Sequence, residues 1–194
     1  MNIEIIDNQK FNEIWVEGEK YKEVHKKLYK NHLRKILRAS SKKDLTDIFL
    51  RLDIQLGRGF VYKLLALKGY MKSELVEKLK LRRIDPQAIE VILEECERLG
   101  YIDDQREGEL FVQRHKRKGW GPQVIAQKLS RKAPKIVEIA KISEEEQLNM
   151  IEHWIQKKIR SQDLNDLKVK QKLYRFLKGK GFDESLIRQS LFTY

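Results

Sequence analysis

Five apolar positions in the chain recur at a fixed interval. Leu75, Leu79, Ile84, Ile89 and Ile92 superpose at a shift of 50 residues on Ile125, Leu129, Pro134, Ile139 and Ile142, and all but Pro134 stay apolar. A further shift of 48 carries the first four to Leu173, Leu177, Phe182 and Ile187. Repetition at such a period is the mark of stacked supersecondary units and restricts the fold more than any local motif. Each unit is too small to bury its own apolar faces well, so neighbours must stack. The expected fold is mainly all-α: tandem three-helix repeats over 58–102, 103–142 and 143–194 that form an elongated, curved array. Residues 1–57 are left as an N-terminal extension.

The helical period within each copy supports this reading. Ile89, Ile92, Leu93, Cys96 and Leu99 form one stripe, opened by Asp85 as a cap with Pro86 in the first turn and closed by Gly100. The next helix starts after Asp103, passes through Leu110, Phe111 and Arg114, and ends at Gly119-Trp120-Gly121. Pro122 opens a short helix carrying Ile125 and Leu129, which Pro134 shuts. Ser143-Glu144-Glu145-Glu146 reads as a capping box ahead of Leu148, Ile151, Ile155 and Ile159. Two more helices carry Val169, Leu173, Phe176 and Leu177, and then Ile187 and Leu191 after Asp183.

The first sixty residues differ. Asn2 to Asp7 and Phe11 to Glu17 are β-prone runs around a polar Asn8-Gln9-Lys10, which suggests a small hairpin. An isolated hairpin is marginal, so it must pack on the helices C-terminal to it. Tyr21, Val24 and Leu28, then Leu45, Ile48, Phe49 and Leu52, read as the helical stripes available to it, with Ser41 and Asp44 at the start of the second.

Several chemistries are disfavoured. There is no GxxxxGK[ST] phosphate loop, and Gly57-Arg58-Gly59 lacks the third glycine and the preceding apolar strand of a dinucleotide site. His25, His32, His115 and His153 form no HExxH arrangement and lie far in sequence from Cys96, so no metal site is expected. Cys96 sits on an apolar stripe and reads as a small buried hydrophobe, with no companion for a disulfide. Asp103 and Asp104 read as capping and dipole-stabilising groups at a helix start. No cofactor and no catalytic residue is expected. The acidic N-terminus Met1-Asn2-Ile3-Glu4 and the lack of an 18-residue apolar run point to a cytoplasmic protein without membrane insertion.

The charge is the positive signal. The net charge is +12, and residues 111–142 hold nine basic residues against the single acid Glu138. A field so concentrated attracts a polyanion or an acidic protein groove. Arg114, Arg117 and Lys118 lie on one helical face, as do Lys128, Arg131 and Lys132, and Lys168, Lys172 and Arg175. Such faces suit phosphate contacts. Trp120 beside them can stack on a base or fill a core, and the core reading is favoured. No helix places Asn or Gln for base edges, so sequence-specific reading of DNA is not expected.

Leu99-Gly100-Tyr101-Ile102-Asp103-Asp104-Gln105-Arg106, then Phe111-Val112, Arg114 and Arg117-Lys118-Gly119-Trp120-Gly121-Pro122, resemble the central signature of the RecX family of recombination regulators. Ser73-Glu74-Leu75 with Lys78-Leu79, and Lys178-Gly179-Lys180-Gly181-Phe182-Asp183, resemble its first and third repeats. Glu107 stands where an aromatic usually follows the arginine, and Ala133-Pro134 replaces the usual Lys-Gly ending of repeat two. The resemblance implies tandem three-helix repeats that lie in the groove of the RecA filament on single-stranded DNA. It implies a protein that modulates, usually inhibits, RecA ATPase, strand exchange and co-protease action; the chain is expected to act as a monomer. The alternative from charge alone is a stand-alone, non-sequence-specific nucleic-acid-binding module. Residues expected in the core are Leu75, Leu79, Ile89, Ile92, Ile125, Leu129, Leu173, Leu177, Phe182 and Ile187. Arg114, Arg117, Lys118 and Lys128 are expected to be exposed on the concave side, opposite Leu110, Phe111, Ile125 and Leu129.

Overall fold

In a computed structural model of the chain, residues 1–159, 164 and 166–192 are described. They form two compact units, Met1–Asp103 and Asp104–Tyr194.

The first unit begins with an antiparallel meander of β1 (Ile3–Asp7), β2 (Phe11–Val16) and β3 (Glu19–His25) in the order β1-β2-β3. The expected hairpin is therefore three strands, and the helical stripe assigned to Tyr21, Val24 and Leu28 is corrected. Glu17 and Gly18 both have positive φ, 51° and 81°, the two-residue turn that matches the twist of paired strands. Tyr21 is left unpaired between Lys20, opposite Trp15, and Lys22, opposite Ile14. This bulge breaks the alternation of two. Tyr21 and Val24, three apart, consequently pack into the same core, which imitates a helical period in the sequence.

Two short helices come next, α1 (Lys26–Tyr29) and α2 (Leu33–Leu37), and then the long α3 (Lys42–Leu65). Ser41 caps α3, its hydroxyl accepting from the Asp44 N–H at 3.1 Å. The N-terminal half of α3 packs Leu45, Ile48, Phe49 and Leu52 against Ile14, Val16, Val24, Tyr29 and Ile36. Its C-terminal half packs Val61 against α4 (Lys72–Lys80) and α5 (Pro86–Arg98), burying Leu75, Leu79, Ile84, Ile89, Ile92 and Cys96. One helix thus serves both the extension and repeat one and runs unbroken through position 57, where the extension was expected to end. At that position the buried Gly57 backbone comes close to Ile92, Leu79 and Ile84.

The two halves are also joined by a carboxylate. Asp53 on α3 has no exposed surface. It accepts from Lys22 Nζ of β3 at 2.5 Å, from the Tyr29 hydroxyl of α1, and from the backbone N–H of Asp85 ahead of α5 at 3.1 Å. Arg83 adds a bond to Glu23 at 3.0 Å and lies over Phe11. Asp85 caps α5 as expected, accepting from the Gln87 N–H at 2.9 Å. Leu99, read as the last member of that stripe, instead lies just beyond the helix and is 46% exposed.

The second unit holds α6 (Asp104–Arg117), α7 (Pro122–Ser130), a 3-10 segment (Pro134–Ala140), α8 (Glu144–Ile159), α9 (Leu167–Lys180) and α10 (Glu184–Phe192). Repeat two departs from the three-helix pattern because its third element is the 3-10 segment. Pro134, which lacks an N–H, falls at the position where the sister repeats turn into a full helix, and Ile136 breaks the helical dihedrals behind it. Ser143 caps α8, accepting from the Glu146 N–H at 3.2 Å, and Asp183 caps α10 through the Ser185 N–H at 2.9 Å. All ten residues expected in the core are buried. Leu110, expected to share the apolar side of α6 with Phe111, is 40% exposed.

Repeats two and three are joined through the main chain. The Gly121 N–H donates to the Lys180 carbonyl at 2.8 Å and the Gln123 N–H to the Gly181 carbonyl at 3.1 Å. Buried Gln147 adds a side-chain link, donating to the Ile142 carbonyl at 3.1 Å and accepting from the Asp183 N–H at 3.3 Å.

This packing sets two measurable outcomes. Leu129 has no exposed surface, so Leu129→Ala should cost about 2–5 kcal/mol, read as a lower midpoint in a denaturant melt. Glu184, bonded by Tyr174, Arg188 and Lys178, has its pKa lowered from 4.5 to about 2. Its stabilisation is present above the unfolded value and is lost as pH falls toward the folded one. The gap in melting temperature between the wild type and Glu184→Gln should therefore close between pH 4.5 and about 2; a constant gap would show that the carboxylate is not held by these partners.

Candidate functional site: a basic, aromatic-lined surface

The cations of the second unit are positioned by helix ends. Arg114 and Arg117 lie in the last turn of α6, with Lys118 directly after it, and all three are exposed. Lys116 between them is neutralised by Glu146 of α8 at 2.5 Å. On α7 and after it, Arg131 is exposed, whereas Lys128 and Lys132 are half-buried against aromatic rings: Lys128 Nζ is 4.1 Å from the Trp120 ring centre and Lys132 Nζ 5.6 Å from that of Phe111. Lys168, Lys172 and Arg175 are exposed on α9. The motif residues Asp103 and Arg106 are exposed, and Asp104 opens α6.

Trp120 differs from its expected core role. It is half-buried, and Lys180 lies 4.1 Å from it in addition to Lys128. Lys180 also sits 4.5 Å from the Trp154 ring and 5.7 Å from Phe176. Lys157 lies over Trp154 at 5.1 Å and Lys158 over Phe176 at 4.8 Å. Among the described residues, none of Lys128, Lys157, Lys158 and Lys180 has a carboxylate partner; the attraction of the ring faces takes its place. Burial, followed by repulsion from Lys158, Lys128 and Lys157, holds the Lys180 ammonium below the usual lysine pKa.

Trp154 is the fixed point of this arrangement. Its indole Nε1 donates to the Gly119 carbonyl at 3.0 Å, and its ring meets Phe176 edge-on at 5.2 Å. A cavity of about 520 Å³ lies on α6 and α8 beside it, lined by Arg117, Lys118, Asn149, His153 and Lys157 among others. A second, of about 390 Å³, lies between α8 and α9, lined by Trp154, Lys157, Lys158, Lys172, Phe176 and neighbouring apolar groups. Of the cavity-wall residues, helical spacing in the sequence marks Arg117, Lys118 and Lys172; Trp154, Lys157 and Lys158, together with Lys180 beside them, go unmarked. Their signal is one Lys-Lys and one Lys-Gly-Lys run, each near an aromatic, which becomes a site only when α8 and α9 pack.

No three His, Cys, Asp or Glu side chains converge on a metal-sized point among the described residues, and no helix there is long and apolar enough to cross a membrane. Cys96 is buried, and burial pushes its thiol pKa up, away from nucleophilic use.

Fold and surface define an α-helical repeat protein with a small β extension and a basic, aromatic-supported face. Comparison with known proteins agrees. Residues 144–191 match the family model for the third three-helix domain of RecX. The regulatory protein RecX of Acinetobacter baylyi is 36% identical over 138 residues, covering 69% of this chain and 85% of that protein. That of Legionella pneumophila strain Corby is 32% identical over 128 residues, covering 64% and 85%. The chain belongs to the RecX family, whose members are named regulatory proteins. In fold it is similar to the crystal structure of a regulatory protein RecX, with a TM-score of 0.66 at 20% identity over 97% of this chain and 96% of that one. It is also similar to RecX from Lactobacillus salivarius, with a TM-score of 0.64 at 24% identity over 71% and 94%.

Gly119 tests the architecture of the face. It has φ 72°, and a Cβ there would lie 2.5 Å from Trp154 Nε1. Gly119→Ala should cost about 1–3 kcal/mol through overpacking and backbone strain, and should shift the indole emission of the folded protein. A melt and an emission spectrum indistinguishable from wild type would show that Trp154 is not held at this place.

Proposed function

We propose that the chain binds the filament that RecA forms on single-stranded DNA and lowers its ATPase, strand-exchange and co-protease activities. The observation that carries this reading is the exposed cation set Arg114, Arg117, Lys118 and Arg131, in the stretch that holds most of the chain's net charge, on a member of the RecX family. Exposed cations without acid partners among the described residues suit a polyanionic surface, whether phosphate of the bound strand or acidic groups lining the filament groove. Stacked three-helix repeats lying along that groove would bridge neighbouring RecA protomers. Regulation then needs no chemistry by this chain: a protein that binds one filament state better than another shifts their balance by the difference in affinity. The active species in this reading is a cytoplasmic monomer without a cofactor.

The second reading, a stand-alone nucleic-acid-binding module, is favoured by the lysines held on aromatic rings around Trp154. The two part in one measurement: under the filament reading, binding to DNA is weak alone and tightens when RecA and ATP are added.

The test is RecA ATPase on single-stranded DNA with the protein titrated in below one-to-one ratios. Inhibition is expected, and no effect at any ratio overturns the reading. Arg117→Glu combined with Lys118→Glu should leave stability within about ±0.5 kcal/mol, since both side chains are exposed, while inhibition collapses. Should the contacts be to phosphate, the slope of log K against log salt falls by about 0.7 for each cation lost on a single strand. Contacts to acidic RecA groups would instead weaken filament binding and leave residual binding to bare DNA unchanged.

A further inference from the structure

The geometry points to a separate ligand site in repeat three: Trp154, Phe176 and the lysines 157, 158 and 172 line a pocket for one nucleotide unit of single-stranded nucleic acid, with Lys180 close to the same two rings. Its base lies against the aromatic walls and its phosphates lie at the lysines. The site deepens the second reading, nucleic-acid binding, and rests on it; it stands without the filament reading, because none of these residues belongs to the face of repeat two.

Three observations carry it. The cavity between α8 and α9 measures about 390 Å³, within the range of small-ligand sites, and has two aromatic walls with a lysine rim. Its indole is preordered by the bond from Trp154 Nε1 to the Gly119 carbonyl at 3.0 Å, and a base that packs on it displaces the Lys157 ammonium that lies over the ring at 5.1 Å. A preordered ring loses little freedom when a base packs on it. Finally, Lys157, Lys158 and Lys180 converge on these rings with no carboxylate partner among the described residues. Cations gathered this way repel one another, and Lys180 is already held below its usual pKa by burial and by Lys158, Lys128 and Lys157. An anion at their centre relieves that repulsion.

Rim and walls together select the ligand. Among the described residues, every cation lining this cavity is lysine, and no acid lines it. Lysine is a point charge that attracts phosphate and carboxylate alike, so the rim calls for an anion and the walls decide which. Aromatic walls add what an acidic peptide does not use and an unpaired base does: stacking on a base is worth about 1–3 kcal/mol and is indifferent to sequence. A duplex keeps its bases stacked inside and cannot offer a face to Trp154. The site therefore fits single strands, DNA or RNA, without sequence preference.

The test needs no RecA, so its outcome is separate from that of the ATPase titration. The full chain is titrated with a labelled oligothymidylate while anisotropy and tryptophan emission are followed over a salt series. Binding with quenched emission is expected, and the quench should largely vanish in Trp154→Phe. Lys158→Glu with Lys172→Glu, both exposed, should fold as wild type by circular dichroism and bind at least about tenfold more weakly, with a salt slope flatter by about 1.4. Wild-type affinity in that folded double variant overturns the proposal, as does an undiminished quench in Trp154→Phe. Three competitors separate the sources of the anion. Thymidine monophosphate displacing the probe at equal molar concentration would make this a mononucleotide site, a duplex quenching equally would exclude base stacking, and polyglutamate displacing the probe at matched charge would assign the rim to an acidic protein surface. Each of these overturns the single-strand assignment; failure of all three to compete supports it.

Discussion

Two main-chain hydrogen bonds set the second unit. The N-terminus of α7 has N–H groups that its own helix cannot satisfy, and the C-terminus of α9 has carbonyls in the same position. The structure joins them, Gly121 to Lys180 and Gln123 to Gly181. The helix ends meet with opposite partial charges, so the contact is electrostatically favourable along its axis. It also demands close approach: a Cβ on Gly121 would collide with the Gly181 carbonyl. The glycines of the two motifs, Gly119-Trp120-Gly121 and Gly179-Lys180-Gly181, thereby share one explanation. They are the two sides of one seam, and Lys180 reaches Trp120 because the seam brings them together.

The electrostatics of the region depend on that junction. A lysine on a lone helix would extend into water. Here Lys180 is drawn between Trp120 and Trp154, near Lys128 and Lys157, and trades hydration for ring contact. Arg114, Arg117 and Lys118 remain in solvent at the end of α6. The second unit thus carries cations of two kinds, one freely hydrated and one held against aromatic carbon, and salt screens the first more effectively than the second.

The repeat was legible because burial enforces it. Leu75, Ile125 and Leu173 occupy the same position in the three copies and are all buried, and a polar residue at any of them would cost a core contact. Helix starts at Asp85, Ser143 and Asp183 were legible because capping is local chemistry. The third strand was not, since the bulge at Tyr21 gave the chain a spacing of three where a regular strand gives two. The Glu17-Gly18 turn was the available clue to it. The exposed state of Leu99 and Leu110 was hidden for a different reason: both lie at the margin of an apolar stripe, where one residue of rotation decides burial. The family resemblance rested on the central motif, and the comparisons support it. The Trp154 cluster was illegible because its members come from α7, α8, α9 and the turn ahead of α7, and helical spacing within one helix says nothing about which side chains meet across several elements.

Asp53 has a consequence for how the first unit comes apart. One carboxylate with no exposure serves a strand, a short helix and the entry to α5, and it sits on the helix that belongs to both the extension and repeat one. Peeling the sheet from α3 would strand a buried charge, and withdrawing α5 would remove one of the donors that keep it. Either opening thus carries the added cost of a buried carboxylate that loses donors. The amides of β3, α3 and α5 therefore belong to a single cooperative block, and hydrogen exchange in the meander, which would otherwise fray on its own, is tied to the opening of the first helical repeat.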